Sequence, residues 1–259
     1  MNTVLIIQAR MGSSRLPNKV LKKICDKPML EHILKRTLQS KKVEHVMVAT
    51  TLNEEDKQID ELCHKIGIDC FCGSENDVLD RYYQAAKQYN PRNVVRITAD
   101  CPLIDPELID KIINVHLNGN YDYTSNTLVE TYPDGLDTEV FKFSALRKAW
   151  ENAVLASERE HVTPYIKFKG DFIKFSIESD IDLSKYRWTV DTEADFEMVV
   201  KIYNALYSEN RIFMMDDILT YLRKNPWIVD INAGIVRNEG YIKSLKNDFI
   251  VREGNIKNE

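Results

Sequence analysis

Hydrophobic positions along the chain alternate between two periods. TVLII (3–7) and VEHVMVATT (43–51) are short runs rich in β-branched residues, and such side chains pack well on a pleated sheet, so both are predicted strands. Between them PMLEHILKRTL (28–38) sets Met29, Leu30, Ile33, Leu34 and Leu38 at helical spacing, with Pro28 suited to the first turn. EEDKQIDELCHKIG (54–67) repeats that spacing through Ile59, Leu62, Cys63 and Ile66, and Gly67 is its expected C-cap. A short strand IDCFC follows, then a helix from Asp77 to Tyr89 and the strand NVVRIT (93–98). DPELIDKIINVH closes the series as a helix, with Asp105 as cap and Pro106 in its first turn.

Strand and helix alternate to about residue 116, which implies right-handed βαβ crossovers and a doubly wound, mostly parallel α/β sheet. Beyond it the pattern loosens. TEVFKF and FIKFSIE read as strands around the helix SALRKAWENAVL, a mixed-sheet extension. RWTV (187–190) reads as a strand ending at Asp191, and Thr192 as the N-cap of a helix carrying Phe196, Val199, Val200, Tyr203 and Leu206. No Pro/Gly/Ser-rich linker or internal repeat divides the chain, so a single domain is expected over 1–245, in two parts meeting near 116 and 117, with a polar, disordered tail over 246–259.

Composition narrows the class. The chain has 259 residues, 44% of them hydrophobic, and a formal charge of -5, an ordinary soluble balance that argues against nucleic-acid binding on a basic face. No run approaches the roughly 20 apolar residues of a membrane span, and the N-terminus lacks the regions of a signal peptide, so a cytoplasmic protein is expected. Five cysteines are an odd number in a chain too large to need stapling, and reduced thiols follow. Cys63, His64, Cys70 and Cys72 lie close enough to raise the question of zinc. No paired CxxC is present, however, and Cys63 falls on the apolar stripe, so small core side chains are expected.

The candidate chemistry gathers at the strand ends, where open parallel sheets bind ligands. After the first strand comes ARMGSSRLPNK, in which Arg10, Arg15 and Lys19 border one crevice, Gly12 allows close backbone approach, and Ser13 and Ser14 add donors. These cations could offset most of a nucleoside triphosphate's charge of roughly -4 through charge-assisted hydrogen bonds. Neither GxxxxGK[ST] nor GxGxxG occurs, so side chains rather than a glycine loop would hold the phosphates. GSEND (73–77) and TADCPLID (98–105) follow the third and fourth strands, placing Gly73, Asp77, Thr98 and Asp100 near the same crevice. Asp100 and Asp191, at neighbouring strand ends, suit a shared divalent cation that bridges phosphate oxygens.

QARMGSSRLPNKVL, GSENDVLDRY, RITADCPLIDPELID, DGLDTEVF, EREHVTPYI, RWTVDTEAD and RNEGYIKSL, in that order, resemble the spore coat polysaccharide biosynthesis protein F family, which groups with the cytidylyltransferases that activate acylneuraminate and 3-deoxy-manno-octulosonate sugars. The resemblance implies a nucleotide-diphospho-sugar transferase (GT-A-like) fold, CTP as donor, Mg2+ as cofactor and a sugar or sugar acid as acceptor. It makes residues 1–116 the nucleotide-binding part, with Ala9, Arg10, Gly12, Ser13, Ser14, Arg15, Lys19, Gly73, Asp77 and Thr98 at the nucleotide, and 117–245 the acceptor-binding part. Arg10, Lys19 and Asp100 carry the catalytic expectation, and Asp100 and Asp191 that of the metal. PDGLDTEVF and EREHVTPY offer acidic groups for sugar hydroxyls or amines and an arginine for an acid group; Asp137, Glu139, Arg159 and His161 are the acceptor candidates. A homodimer is compatible with this reading. Its competitors are a glycosyltransferase using the DxD spacing of Asp180 and Asp182, and a noncatalytic nucleotide-binding subunit.

Overall fold

The computed structural model describes residues 2–251. Its strands are β1 (Thr3–Gln8), β2 (Lys23–Ile24), β3 (Lys27–Pro28), β4 (His45–Thr51), β5 (Asp69–Gly73), β6 (Asn93–Thr98), β7 (Tyr123–Ser125), β8 (Glu139–Lys142) and β9 (Lys174–Ser176). The helices are α1 (Met29–Thr37), α2 (Lys57–Lys65), α3 (Val78–Lys87), α4 (Pro106–Gly119), α5 (Phe143–Asn152), α6 (Ala156–His161), α7 (Glu193–Leu206), α8 (Met215–Lys224) and α9 (Glu239–Lys246).

Seven strands form one sheet in the order β5-β4-β1-β6-β8-β7-β9. The first four are parallel, β8 runs antiparallel to β6 and β7, and β9 pairs parallel to β7. A mostly parallel sheet with an antiparallel extension is therefore what the periodicity predicted, and it continues across residue 116 because β8 hydrogen-bonds β6. β1 shows why its sequence is apolar throughout: Leu5 and Ile7 enter one core with α1, α2, α4, α7 and α8, whereas Val4 and Ile6 enter a second with α3 and α5. A strand covered on both faces has no polar alternation.

The chain leaves β1 for β4 and β5 on one side and returns to β6 on the other. Between β1 and β6 the winding reverses, and a crevice opens beyond their carboxyl ends. Both flanking loops carry the candidate chemistry.

Several local expectations shift. Pro28 precedes α1 instead of entering its first turn, because it closes the β2–β3 ribbon against Lys23. RWTV is not a strand: Arg187 makes a single bridge to Asp134, and the rest is irregular extended backbone. The expected disordered tail begins with a docked segment, since the Ala156 and Val251 amides donate to Phe249 and Val154 carbonyls at 2.9 Å and Asp248 accepts from Ser157; its residues 252–259 lie outside the described ones. Asp105 caps α4 with Pro106 in the first turn, and Thr192 caps α7, as their sequences require. Among the described residues no helix is long and apolar enough to cross a membrane.

Candidate functional site

The loop after β1 is fixed by three buried apolar anchors, Met11, Leu16 and Val20. The Met11 amide donates to Asp56 Oδ1 at 2.6 Å, and the Met11 carbonyl accepts from Ser13 and Asn18 at 2.7 and 3.3 Å. Asn18 takes a left-handed φ of 57°, a region asparagine tolerates. With its apolar residues buried, the loop holds Arg10, Gly12, Ser14 and Arg15 exposed. Ala9 is buried and donates its amide to the Ala49 carbonyl at 3.2 Å, so it contributes backbone. Asp56 also accepts from the Thr51 hydroxyl, tying the end of β4 to the loop. It was not anticipated from its place in a run of acids.

Lys19 reaches across the crevice. Its Nζ donates to the Val190 carbonyl at 2.8 Å, to Asp191 Oδ1 at 2.9 Å and to Asp100 Oδ2 at 3.5 Å. Burial alone would lower the ammonium pKa, but Asp100 and Asp191 outweigh it and raise it above the ordinary lysine value. Asp191 Oδ2 lies 3.1 Å from Arg15 and 2.9 Å from Arg187. Burial would push that carboxyl up; Lys19, Arg15 and Arg187 together hold it below the usual range. Two carboxylates from adjoining segments thus face a single cationic centre.

Asp191 meets Asp100 without a strand. The Val190 amide and Thr189 hydroxyl both donate to the Asp100 carbonyl, at 2.8 and 3.2 Å, and the Trp188 amide donates to the Asp134 carbonyl at 2.6 Å. This close backbone approach needs Gly135: its φ is +105°, and a Cβ there would lie 2.4 Å from the Thr189 nitrogen. Arg187 then holds the corner, bonded to Asp134, Asp191 and Asp195 within 2.9 Å.

The remaining nucleotide candidates divide. Arg10 lies 3.6 Å from Glu75, on the loop after β5, with both side chains open to solvent. Thr98 ends β6, its hydroxyl 3.3 Å from the Cys101 sulfur. Ser13 accepts weakly from the Leu16 amide at 3.4 Å. Gly73 makes room for neighbours: an added Cβ would sit 2.8 Å from the Phe71 ring and 3.1 Å from Arg81 Cγ. Asp77 caps α3 through the Asp80 amide at 2.9 Å and forms an ion pair with Arg159.

That pair moves Arg159 out of the expected acceptor site. Its guanidinium is almost wholly buried and bonds Asp77 and the Trp150 carbonyl, locking α6 to α3. Glu139 is likewise enclosed: Oε2 pairs with Arg96, and Oε1 accepts from Tyr123, Thr163 and Lys167 at 2.6 to 2.7 Å. Burial opposes its ionisation, yet Lys167 and Arg96 hold it far below the carboxylate range. Val162 takes a φ of 71°, strained for a β-branched residue, where the chain turns to bring Thr163 onto Glu139. His161 hydrogen-bonds Ser244 at 3.0 Å and stacks edge-on to Tyr241; burial brings its pKa down to about 4. Asp137, like His161, stays partly open, accepting from Arg237 at 2.9 Å.

Arg237 belongs to a segment whose block RNEGYIKSL was legible but whose place was not. It runs over the crevice mouth, pairing Arg237 with Asp137, Asn238 with Glu130 and Glu239 with Arg15. Asp182 accepts from the Ser184 amide in an exposed turn, so the DxD spacing closes on itself.

A family profile described as Cytidylyltransferase matches residues 4–226. The chain is 45% identical to the uncharacterized protein MJ1063 of Methanocaldococcus jannaschii, over 93% of this chain and 98% of that one. It is 33% identical to the spore coat polysaccharide biosynthesis protein SpsF of Bacillus subtilis, over 87% of this chain and 96% of that one. The solved structure of a cytidylyltransferase from Leptospira borgpetersenii superposes with a TM-score of 0.85 at 37% identity, over 92% of this chain and all of that one. The basic loop after β1 and the acidic loops opposite therefore lie in a fold whose relatives share it over nearly their full length, and the chain belongs to the cytidylyltransferase family of nucleotidyl-transferring enzymes.

Proposed function

We propose that this protein transfers the cytidylyl group of CTP to a hydroxyl of a sugar or sugar acid, releasing pyrophosphate, for the synthesis of a surface polysaccharide or glycoconjugate. The acceptor oxygen attacks the α-phosphorus as its hydroxyl proton passes to solvent, the bond to the β-phosphate oxygen breaks, and pyrophosphate leaves with that electron pair. The observation that carries this reading is the convergence of Lys19 from one side of the crevice with Asp100 and Asp191 from the other, beside Arg15 and below the exposed Arg10.

A triphosphate entering here would draw Arg10, Arg15 and Lys19 onto its oxygens, where charge-assisted hydrogen bonds are strongest. That would free Asp100 and the Lys19-facing oxygen of Asp191, while the other Asp191 oxygen stays on Arg187. A donor set of two carboxylates fits Mg2+, which is commonly held by one or two carboxylates together with substrate phosphates. Asp100 and Asp191 would hold the ion, and it would offset charge on the phosphate oxygens. The acceptor would enter near Asp137, the open acid on the β8 side.

The test is pyrophosphate release screened over CTP, UTP, ATP and GTP against a panel of sugars and sugar acids. CTP with one acceptor class is expected to turn over, chelator to stop the reaction and added Mg2+ to restore it. Turnover of a ready-made nucleotide sugar without pyrophosphate release would replace this reading with glycosyl transfer.

A further inference from the structure

β5 forms one edge of the sheet. Because side chains alternate along a strand, Cys70 and Cys72 share a face. On that face lies α2, which brings Asp60 and, three residues on, Cys63. A carboxylate oxygen of Asp60 and the sulfurs of Cys70 and Cys72 all lie within 4.8 Å of one another. The buried Cys63 lies on the core side of the same helix. Cys70 and Cys72 are therefore half-buried members of one cluster, with Cys70 also packed against the core, whereas Cys63 and Cys101 are buried core side chains.

Two thiols and a carboxylate this close together offer a cation one set of sulfur and oxygen donors. We propose that Asp60, Cys70 and Cys72 form a binding site for a zinc-class divalent cation that ties the edge strand to the helix covering it.

Donor chemistry selects the ion. Thiolates suit zinc and its borderline neighbours, whereas Mg2+ takes oxygen ligands, so this site is chemically separate from Asp100 and Asp191. Dimensions agree as well. Tetrahedral zinc with bonds to sulfur of about 2.3 Å sets sulfurs about 3.8 Å apart, so the cluster needs to contract by no more than about 1 Å. The exposed Asp60 gives the ion an entry from solvent. Its effect would be mechanical: α2 follows Asp56, which holds the loop after β1, and β5 leads to Glu75, which meets Arg10. A metal joining the two would stiffen the outer wall of the crevice without entering it.

The test uses the full, reduced protein and Co2+ as a spectroscopic stand-in for zinc. One equivalent is expected to give visible bands of a tetrahedral ion and a near-ultraviolet thiolate charge-transfer band, both erased by one equivalent of Zn2+. Cys70→Ser and Cys72→Ser, each shown by circular dichroism to fold, should each weaken the charge-transfer band, and the double variant should abolish it. Their zinc affinity should fall on the order of 100-fold or more, beyond the roughly 10- to 100-fold loss of a supporting outer partner. His64→Ala, which alters an exposed neighbour, should leave both readouts unchanged. Binding without the charge-transfer band, equal binding by the cysteine variants, or a Cys63–Cys70 disulfide in protein purified without reductant would overturn the proposal.

Discussion

Two clusters of opposite charge lie on either side of β6, and they are built for different ends. In the cluster of Lys19, Asp100 and Asp191 the acids keep 27% and 21% of their side-chain surface, and each cation is borrowed from a loop. In the cluster of Arg96, Glu139 and Lys167 the acid keeps 3%, and both its oxygens are saturated by strand, helix and loop partners. An incoming polyanion can rearrange the first by offering its own oxygens to Arg15 and Lys19. No ligand can enter the second without leaving a buried charge unpaired, which is expensive. Open pairing leaves room for a ligand; closed pairing does not.

The largest effect should come from breaking the closed cluster. Glu139→Gln keeps the shape but leaves Arg96 and Lys167 buried without their counter-charge, so denaturant unfolding should show a loss of about 3 to 5 kcal/mol. A loss near zero would mean that the cluster is as adaptable as the open one.

Next, Lys19→Ala should fold normally and fail in catalysis. Removing one charge-assisted donor from a developing oxyanion typically costs about 2 to 4 kcal/mol, on the order of a 30- to 1,000-fold fall in kcat/KM. Wild-type turnover with a lowered melting temperature would assign Lys19 to the wall instead.

Acid offers a titratable check on the closed side. His116 packs between β6 and β7, bonded to Thr124 at 3.0 Å and Asn93 at 3.3 Å, and burial brings its pKa from 6.5 down to about 4. The unfolded chain therefore binds a proton that the folded one refuses, and stability present above pH 6.5 is lost as pH falls toward 4, by up to about 3 kcal/mol. His116→Gln should flatten that slope in unfolding measured across the range; an unchanged slope would place its origin elsewhere.

The smallest effect belongs to the open side. Arg15 meets Glu239 at 2.6 Å, and the glutamate is mostly exposed. Glu239→Gln should change stability by less than about 1 kcal/mol, and by freeing Arg15 should tighten CTP binding roughly 1.5- to 5-fold at low salt. Calorimetric titration in high salt should abolish the gain, because exposed pairs are screened. Weaker binding would mean that Glu239 orients Arg15 for the nucleotide.

How much could be read in advance follows from the range of each interaction. The caps Asp105 and Thr192 act within three residues and were legible. So was the basic loop, since strand ends are where doubly wound sheets bind. Arg159 was misplaced because a charged motif rich in glutamate gives no sign that its arginine will be buried on Asp77, 82 positions earlier. RWTV was misread because β-branched and aromatic residues favour extended backbone, but whether an extended segment joins a sheet depends on a free strand edge beside it.

The alternation of strands and helices and the positive loop after the first strand could be read from the chain alone. Each follows from periodicity or capping, which acts over a few residues. Which charges meet emerges only on folding: Lys19 finds Asp191 across 172 positions, Glu139 gathers partners from β6, β7 and the segment after α6, and Glu239 closes on Arg15. Long-range pairing depends on how layers stack and which residue first fills each acceptor. That is fixed by packing the whole chain, not by any stretch of it.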